Sequence, residues 1–271
     1  MYSPLPDTAL AFDGIDQDRD ATDGTSDTDR RTSLQRYTPM ESAGMVPGMS
    51  RAVVELSHPI SDGMLTCAGL PGPRVTRELS REQPSLIDMT YDIARVDMVG
   101  NTGTYIDAPF HFHADGADIA ELPLERLLNV AIVVIRAMGT RAVGPDVLGD
   151  PARLWGKAVL VHTGWSARWG SPAYRSPDHP YLVREVADAL VAANVALVGI
   201  DSLDIDDTSL PTRPCHHALL GAGIPIIEQM TNLDAVPDIG ARLVALPAPV
   251  RGMGSFPLRA VAWTDHGGAG S

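Results

Sequence analysis

Cysteine is scarce in this chain of 271 residues: Cys67 and Cys215 stand far apart and in no CxxC spacing. That excludes a disulfide scaffold or a zinc ribbon and leaves two reduced thiols as the expectation. Positive charge is short as well, with 21 Lys and Arg against 34 Asp and Glu and a formal net charge of −13. A surface of that sign repels phosphate backbones, so nucleic acid is not an expected partner. No apolar run reaches the roughly 18–20 residues of a membrane-spanning helix. The opening MYSPLPDTALAFDG has neither the basic start nor the apolar stretch of a secretory signal. These absences point to a cytoplasmic protein that handles a small molecule, away from membranes.

What is present divides into two parts. Residues 1–48 include DGIDQDRDATDGTSDTDRR, acidic, rich in hydroxyls and nearly without groups to bury. Such a segment cannot offset its own ordering entropy, and it reads as a disordered acidic extension. Residues 49–271 read as a single domain. In it, VAIVVIRAM, KAVLVHTGW, ALVGIDSLDID and IPIIEQM are strand-like. YLVREVADALVAANV repeats Leu182, Val186, Ala189, Leu190 and Ala193 at helical spacing. LPLERLLN suggests a short helix, and CHHALLGAG another, with Gly221 as its stop. The segments AVVELSHPI, YDIARVDMVG, ARLVALPAPV and LRAVAWT add strands at both ends. The pattern predicts an α/β fold, a mixed sheet core with additional antiparallel or barrel-like strands.

Three stretches carry candidate chemistry. In NTGTYIDAPFHFHADG, Gly103 permits a tight turn and Pro109 fixes the chain just beyond Asp107. Asp107 and His111 are four apart and can converge as metal ligands or as an acid–base pair; a structural polar cluster is the competing reading. In CHHALLGAGIPIIE, His216 opens a short helix and Glu228 lies near a strand end, where α/β folds place ligands; a helix cap and a solvated acid are the alternatives. In VHTGWSARWGSPAY, Trp165 and Trp169 could wall a small organic ligand, form a subunit contact or build a satellite core. His58 reads as part of a His-Pro turn, His179 and His266 as surface residues. Asp201, Asp204, Asp206 and Asp207 read as a solvated acidic loop.

Together these segments resemble the kynurenine formamidase-like, or cyclase, family of metal-dependent hydrolases. The family signature H-x-G-T-H-x-D-x-P-x-H is met here as Asn101-Thr-Gly-Thr-Tyr105-Ile-Asp107-Ala-Pro109-Phe-His111. HTGWSARWGSPAY, VGIDSLDID, HHALLGAGIPIIE and RLVALPAPVRG extend the resemblance. It implies a swivelling β/β/α cyclase-type fold, assembled as a homodimer or larger homo-oligomer. It implies hydrolysis of an amide, formamide or cyclic carbonyl bond, C–N or C–O, in a small cyclic or aromatic substrate by activated water. It assigns Asp107, His216 and Glu228 to one divalent metal ion, zinc or manganese, and His111 to acid–base catalysis. Two metal-binding histidines of the signature are replaced by Asn101 and Tyr105, which argues against a binuclear centre and leaves these two to orient a substrate carbonyl. Trp165 and Trp169 would contact the substrate. Two alternatives remain: a metal-independent cyclase or hydro-lyase acting on a biosynthetic intermediate such as a polyketide, and a catalytically silent binding protein.

Overall fold

Three stretches, LNVAIVVIR, AVLVH and LVGI, are apolar at nearly every position, which a strand tolerates only where both of its faces are covered. The computed structural model describes residues 51–64, 69–79 and 91–265, and it meets that demand with a sheet closed on itself. Its strands are β1 (Arg51–Glu55), β2 (Arg74–Leu79), β3 (Ile93–Asp97), β4 (Tyr105–Asp107), β5 (Leu128–Arg136) and β6 (Ala142–Val143). They continue as β7 (Ala158–His162), β8 (Tyr181–Leu182), β9 (Leu197–Ile200), β10 (Ile226–Glu228), β11 (Ile239–Pro247) and β12 (Ser255–Asp265). The two helices are α1 (Arg184–Ala192) and α2 (Pro214–Gly221).

The ring runs β12-β11-β5-β7-β9-β10-β4 and returns to β12, with β1 added on the outside of β12. Pairings from β5 through β7 and β9 to β10 are parallel; the others in the ring are antiparallel. Closure leaves the seven ring strands without free edges. The fold is therefore the mixed α/β barrel-like sheet that the sequence predicts.

Side-chain alternation sorts the core into two layers. Val130, Ile132, Val134, Leu160, Leu197, Ile106, Ile227, Leu243 and Ala260 fill the interior of the ring. Val133, Ile135, Val159, Val161, Val198, Ile200 and Ile226 face outward, under Val186, Ala187 and Leu190 of α1 and Cys215, Leu219 and Leu220 of α2. Burying both faces accounts for the absence of polar alternation in β5, β7 and β9.

Several local expectations change. LPLERLLN forms only one tight turn, Leu124–Arg126, before β5 begins at Leu128. A stretch that short cannot offset helix nucleation, and Leu127 and Val130 instead bury their side chains in the ring. Tyr181–Leu182 pairs with β6, so α1 starts later than its apolar spacing suggests, and Asn194 at φ 49 turns the chain out of it. The left-handed stop after α2 is Gly223 at φ 71, with the Ile224 N–H donating to the Leu219 carbonyl at 2.9 Å; Gly221 remains inside the helix. A Cβ on Gly221 would lie 3.2 Å from the His113 ring, so close packing is what that position demands. β3 pairs with β2 in a separate two-stranded ribbon rather than joining the ring. The expected extension over 1–48, Cys67 and His266 lie outside the described residues.

Candidate active site

The site is set by the register of three short strands. β4 lies between β10 and β12, with Tyr105 opposite Glu228 and Pro257, and Asp107 opposite Ile226 and Ser255. Side chains alternate along a strand, so Tyr105, Asp107, Glu228 and Ser255 share one face, while Ile106, Ile227 and Phe256 share the other and join the interior core. The polar face is the outer one, next to α2. Thus a strand of only three residues carries two site groups on one side and a core anchor on the other.

The turn before β4 is built for close approach. Gly103 adopts φ 65, and the Thr104 hydroxyl donates to the Gln229 carbonyl at 2.6 Å. A Cβ on Gly100 would collide with the Ser255 carbonyl, so this glycine lets the half-buried Asn101 sit beside the start of β12. After β4, Pro109–His111 forms one tight turn with proline at its first position, and this swings His111 back toward Asp107. Gly254 matters for the same reason: a Cβ there would lie 2.6 Å from the His111 Cα.

Asp107, His216 and Glu228 converge, with one ligand atom from each within 4.8 Å of the others. His216 Nε2 lies 3.7 Å from Asp107 Oδ2 and 3.5 Å from Glu228 Oε1. His111 Nε2 stands 3.8 Å from Asp107 Oδ1. The Ser255 hydroxyl donates to Asp107 Oδ1, and the Tyr105 hydroxyl donates to Glu228 Oε2. The Ile205 N–H donates to Glu228 Oε1 at 2.6 Å. Phe112 covers His216 with its ring stacked at 4.8 Å. The structure therefore brings Asp107, His111, His216 and Glu228 together, with Tyr105 hydrogen-bonded to Glu228 beside them. His111 is the accessible member, its side chain 32% exposed, whereas Asp107 is fully buried.

Asp206 is the group that the sequence reading passed over. It is buried, not solvated. Its carboxylate accepts the Cys215 N–H at 2.8 Å and the His216 N–H at 3.0 Å, capping α2, and also holds His216 Nδ1 at 2.8 Å. That contact leaves Nε2 as the imidazole nitrogen turned toward Asp107 and Glu228, the carboxylate–histidine arrangement that supports metal ligands. Asp201 is also buried, where it accepts the Thr163 and Gly164 N–H groups and shapes the loop after β7. His179 is fully buried rather than superficial, its ring nitrogens beside Ser202 Oγ at 3.2 Å and Thr208 Oγ1 at 3.0 Å. No local sequence signal marks these residues, because each partner comes from a separate loop.

The electrostatics test whether a cation fits. Burial alone would lower the His216 imidazole, but the adjacent Asp107 carboxylate, its bond to Asp206 and the charge of Glu228 hold it well above the usual histidine range. Burial, and then the Asp204 charge, push the Glu228 carboxyl well above the usual carboxylate range. Asp107 Oδ2 is buried with no hydrogen-bond partner. An orphaned carboxylate oxygen beside an imidazole and a second carboxylate is a donor set that suits one divalent ion. Tyr105 gives its proton to Glu228, so these residues provide no second set of imidazole ligands.

The aromatic loop after β7 lies close by. Trp169 stacks on His58 at 3.8 Å with an interplanar angle of 2°, and the His58 N–H donates to Thr104 Oγ1 at 2.9 Å. His58 is thus more than a turn residue: it ties the loop to the Gly103–Thr104 turn. Burial pushes its imidazole down to about 4. Trp165 points into its own loop, its indole N–H donating to the Tyr174 carbonyl at 2.8 Å beneath the Arg168 guanidinium.

The Cyclase family model matches residues 54–207. The chain is 28% identical over 211 residues to a kynurenine formamidase of Salinibacter ruber, covering 78% of this chain and 96% of that one. It is 32% identical over 170 residues to a kynurenine formamidase of Geobacillus thermodenitrificans, covering 62% of this chain and 78% of the relative. Among solved structures, isatin hydrolase A from Labrenzia aggregata, bound to benzyl benzoate, superposes with a TM-score of 0.71 at 22% identity, over 80% of this chain and 95% of that one. A predicted metal-dependent hydrolase from Bacillus stearothermophilus gives 0.63 at 26% identity, over 79% and 99%.

Proposed function

The chain belongs to the Cyclase family, and from that premise we propose that it is a hydrolase that cleaves the carbon–nitrogen bond of an amide, formamide or cyclic amide in a small aromatic substrate. The observation that carries this reading is the convergence of Asp107, His216 and Glu228 beside His111, with Asp107 Oδ2 buried and unpartnered. In this reading Asp107, His216 and Glu228 hold one divalent ion, zinc or manganese. Such an ion supplies Lewis acidity and lowers the pKa of water.

The chain's own groups then divide the work. His111 Nε2 takes a proton from the attacking water as its oxygen bonds to the carbonyl carbon. The same nitrogen returns the proton to the departing amine nitrogen as the C–N bond breaks, leaving a carboxylic acid and an amine. In this reading the Asn101 amide donates to the substrate carbonyl oxygen. Tyr105 fixes Glu228 through its hydroxyl. Trp169 lines the aromatic wall, and Trp165 braces the same loop against the substrate side. The working form is a cytoplasmic homodimer or larger homo-oligomer; size-exclusion chromatography with light scattering tests the assembly.

The metal-free cyclase or hydro-lyase reading needs Tyr105 as donor to a developing oxyanion. A phenol has one proton, and here Glu228 receives it, which favours hydrolysis.

The direct test is turnover of N-formylkynurenine and of isatin, followed by absorbance, with elemental analysis of the same preparation. We expect about one divalent ion per chain and activity that a chelator removes and zinc or manganese restores. Full activity after the ion is stripped would transfer the assignment to the metal-free reading. No turnover of any aromatic amide by metal-loaded protein would end it.

A further inference from the structure

His113 and His217 take no part in the chemistry assigned above, yet the fold brings them together from the two elements that carry His111 and His216. His113 follows the tight turn Pro109–His111, and His217 lies in α2. Their ring centroids stand 5.7 Å apart, with the planes at 80°. His113 is half-buried, its ring lying along α2. Its Nε2 is 3.4 Å from the His217 carbonyl oxygen, and a Cβ on Gly221, one turn further on, would lie 3.2 Å from the same nitrogen. His217 is exposed. Phe112 links this pair to the candidate active site. Its ring centroid is 4.8 Å from that of His216, 4.9 Å from that of His217 and 5.0 Å from that of His111.

We propose that His113 and His217 form a second divalent-cation site, suited to zinc, nickel or copper, that staples the His111 turn to α2. Imidazole is a ligand that these ions share. A zinc–nitrogen bond of about 2.0–2.1 Å puts the ion about 3.2 Å from each ring centroid, so two imidazoles at a tetrahedral angle stand about 5 Å apart. A small rotation of the exposed His217 ring closes the difference. The His217 carbonyl adds a second argument. An Nε2 proton donated to it leaves the His113 lone pair on Nδ1, as a carbonyl beside a metal-binding histidine selects the tautomer. The net charge of −13 favours a cation at the surface. Two imidazoles completed by water hold an ion less tightly than Asp107, His216 and Glu228 together, so this site fills second. Neither residue stands at a metal position of the signature, so the ion does not replace the one that Asn101 and Tyr105 exclude. The inference goes beyond the hydrolase reading and does not depend on it.

The test is a calorimetric titration of further zinc into zinc-loaded native protein and into the His113→Gln and His217→Gln variants in the same state, with folding checked by circular dichroism. The native protein should bind a second equivalent that both variants lose. That equivalent should raise the melting temperature of the native protein and leave the variants unchanged, because an ion bound only by the folded chain stabilises it. His217→Gln alters an exposed side chain and decides the matter if the packed His113→Gln misfolds. Native protein that takes up no further zinc, or a second equivalent that survives in a folded variant, overturns the proposal. Titration of metal-free protein separates the two readings. A single equivalent that both histidine variants lose and Asp107→Asn keeps would leave this site standing and remove the active-site ion instead.

Discussion

At the level of single residues, the separation of ligand, orienting group and proton carrier makes distinct outcomes measurable. His111→Ala removes only the accessible imidazole. Turnover should fall by about 10²–10⁴-fold while metal content stays level; equal activity in the variant would remove His111 from the chemistry. Asp206→Asn keeps an oxygen for the N–H groups of α2 but loses the charge that holds His216 Nδ1. Metal affinity should drop by about 10–100-fold, read by competition with a chelating dye, with little loss of helix content. His58 offers a different readout, because burial pushes its imidazole down to about 4 from the ordinary histidine value of about 6.5 and so favours the neutral form. The neutral form is the folded form. Its contribution is therefore complete above about pH 6.5, and falls as pH drops toward 4, where the unfolded chain takes up the proton first. Between pH 7 and pH 5 that single group should cost up to about 2 kcal/mol, and His58→Asn should flatten the corresponding part of the denaturation profile. His179, also lowered by burial, adds a slope of the same sign that the variant retains.

At the level of elements, the sequence and the structure part company according to whether a partner is local. β5, β7 and β9 are legible because runs such as AIVVI and AVLV satisfy only a strand buried on both faces. α1 is legible from the spacing of Val186 and Leu190. β4 is not legible as a strand: three residues, Tyr-Ile-Asp, show no period, and their conformation comes from β10 and β12, more than a hundred residues away. The grouping of Asp107, His111, His216 and Glu228 could be drawn from motif order, yet their relation to Ser255, Asp206 and Phe112 could not, because it depends on register and helix placement. Gly254 tests that dependence. Its missing Cβ lets β12 run against the His111 turn, and the Ala108 N–H bonds its carbonyl at 2.8 Å. Gly254→Ala should cost about 1–3 kcal/mol by denaturation and lower turnover more than metal content. An unchanged melting temperature would show that the two segments have slack between them.

At the level of the whole molecule, the candidate metal ligands come from three separately placed pieces: Asp107 at the end of β4, His216 in α2 and Glu228 at the end of β10. β4 closes the ring between β10 and β12, so an ion bridging these pieces would link ring closure to the helix that covers the outer core. Ligand binding to the folded chain alone adds RT ln(1 + [L]/Kd), about 2.7 kcal/mol when the free ion is a hundredfold above its dissociation constant. Chelation should therefore lower the melting temperature of the native protein by several degrees, and restoring zinc or manganese should reverse the shift. Glu228→Gln separates this linkage from general effects of chelator. The amide retains an acceptor for the Ile205 N–H and a contact for Tyr105, but it relieves carboxylate crowding and binds the ion weakly. In metal-free solution this variant should be at least as stable as the native chain, because one buried carboxyl that burial drives toward protonation has been replaced by a neutral group. With metal present the order should invert. If scanning calorimetry finds the two proteins shifted equally by the ion, Glu228 is not one of its ligands and the closure of the ring is independent of the metal.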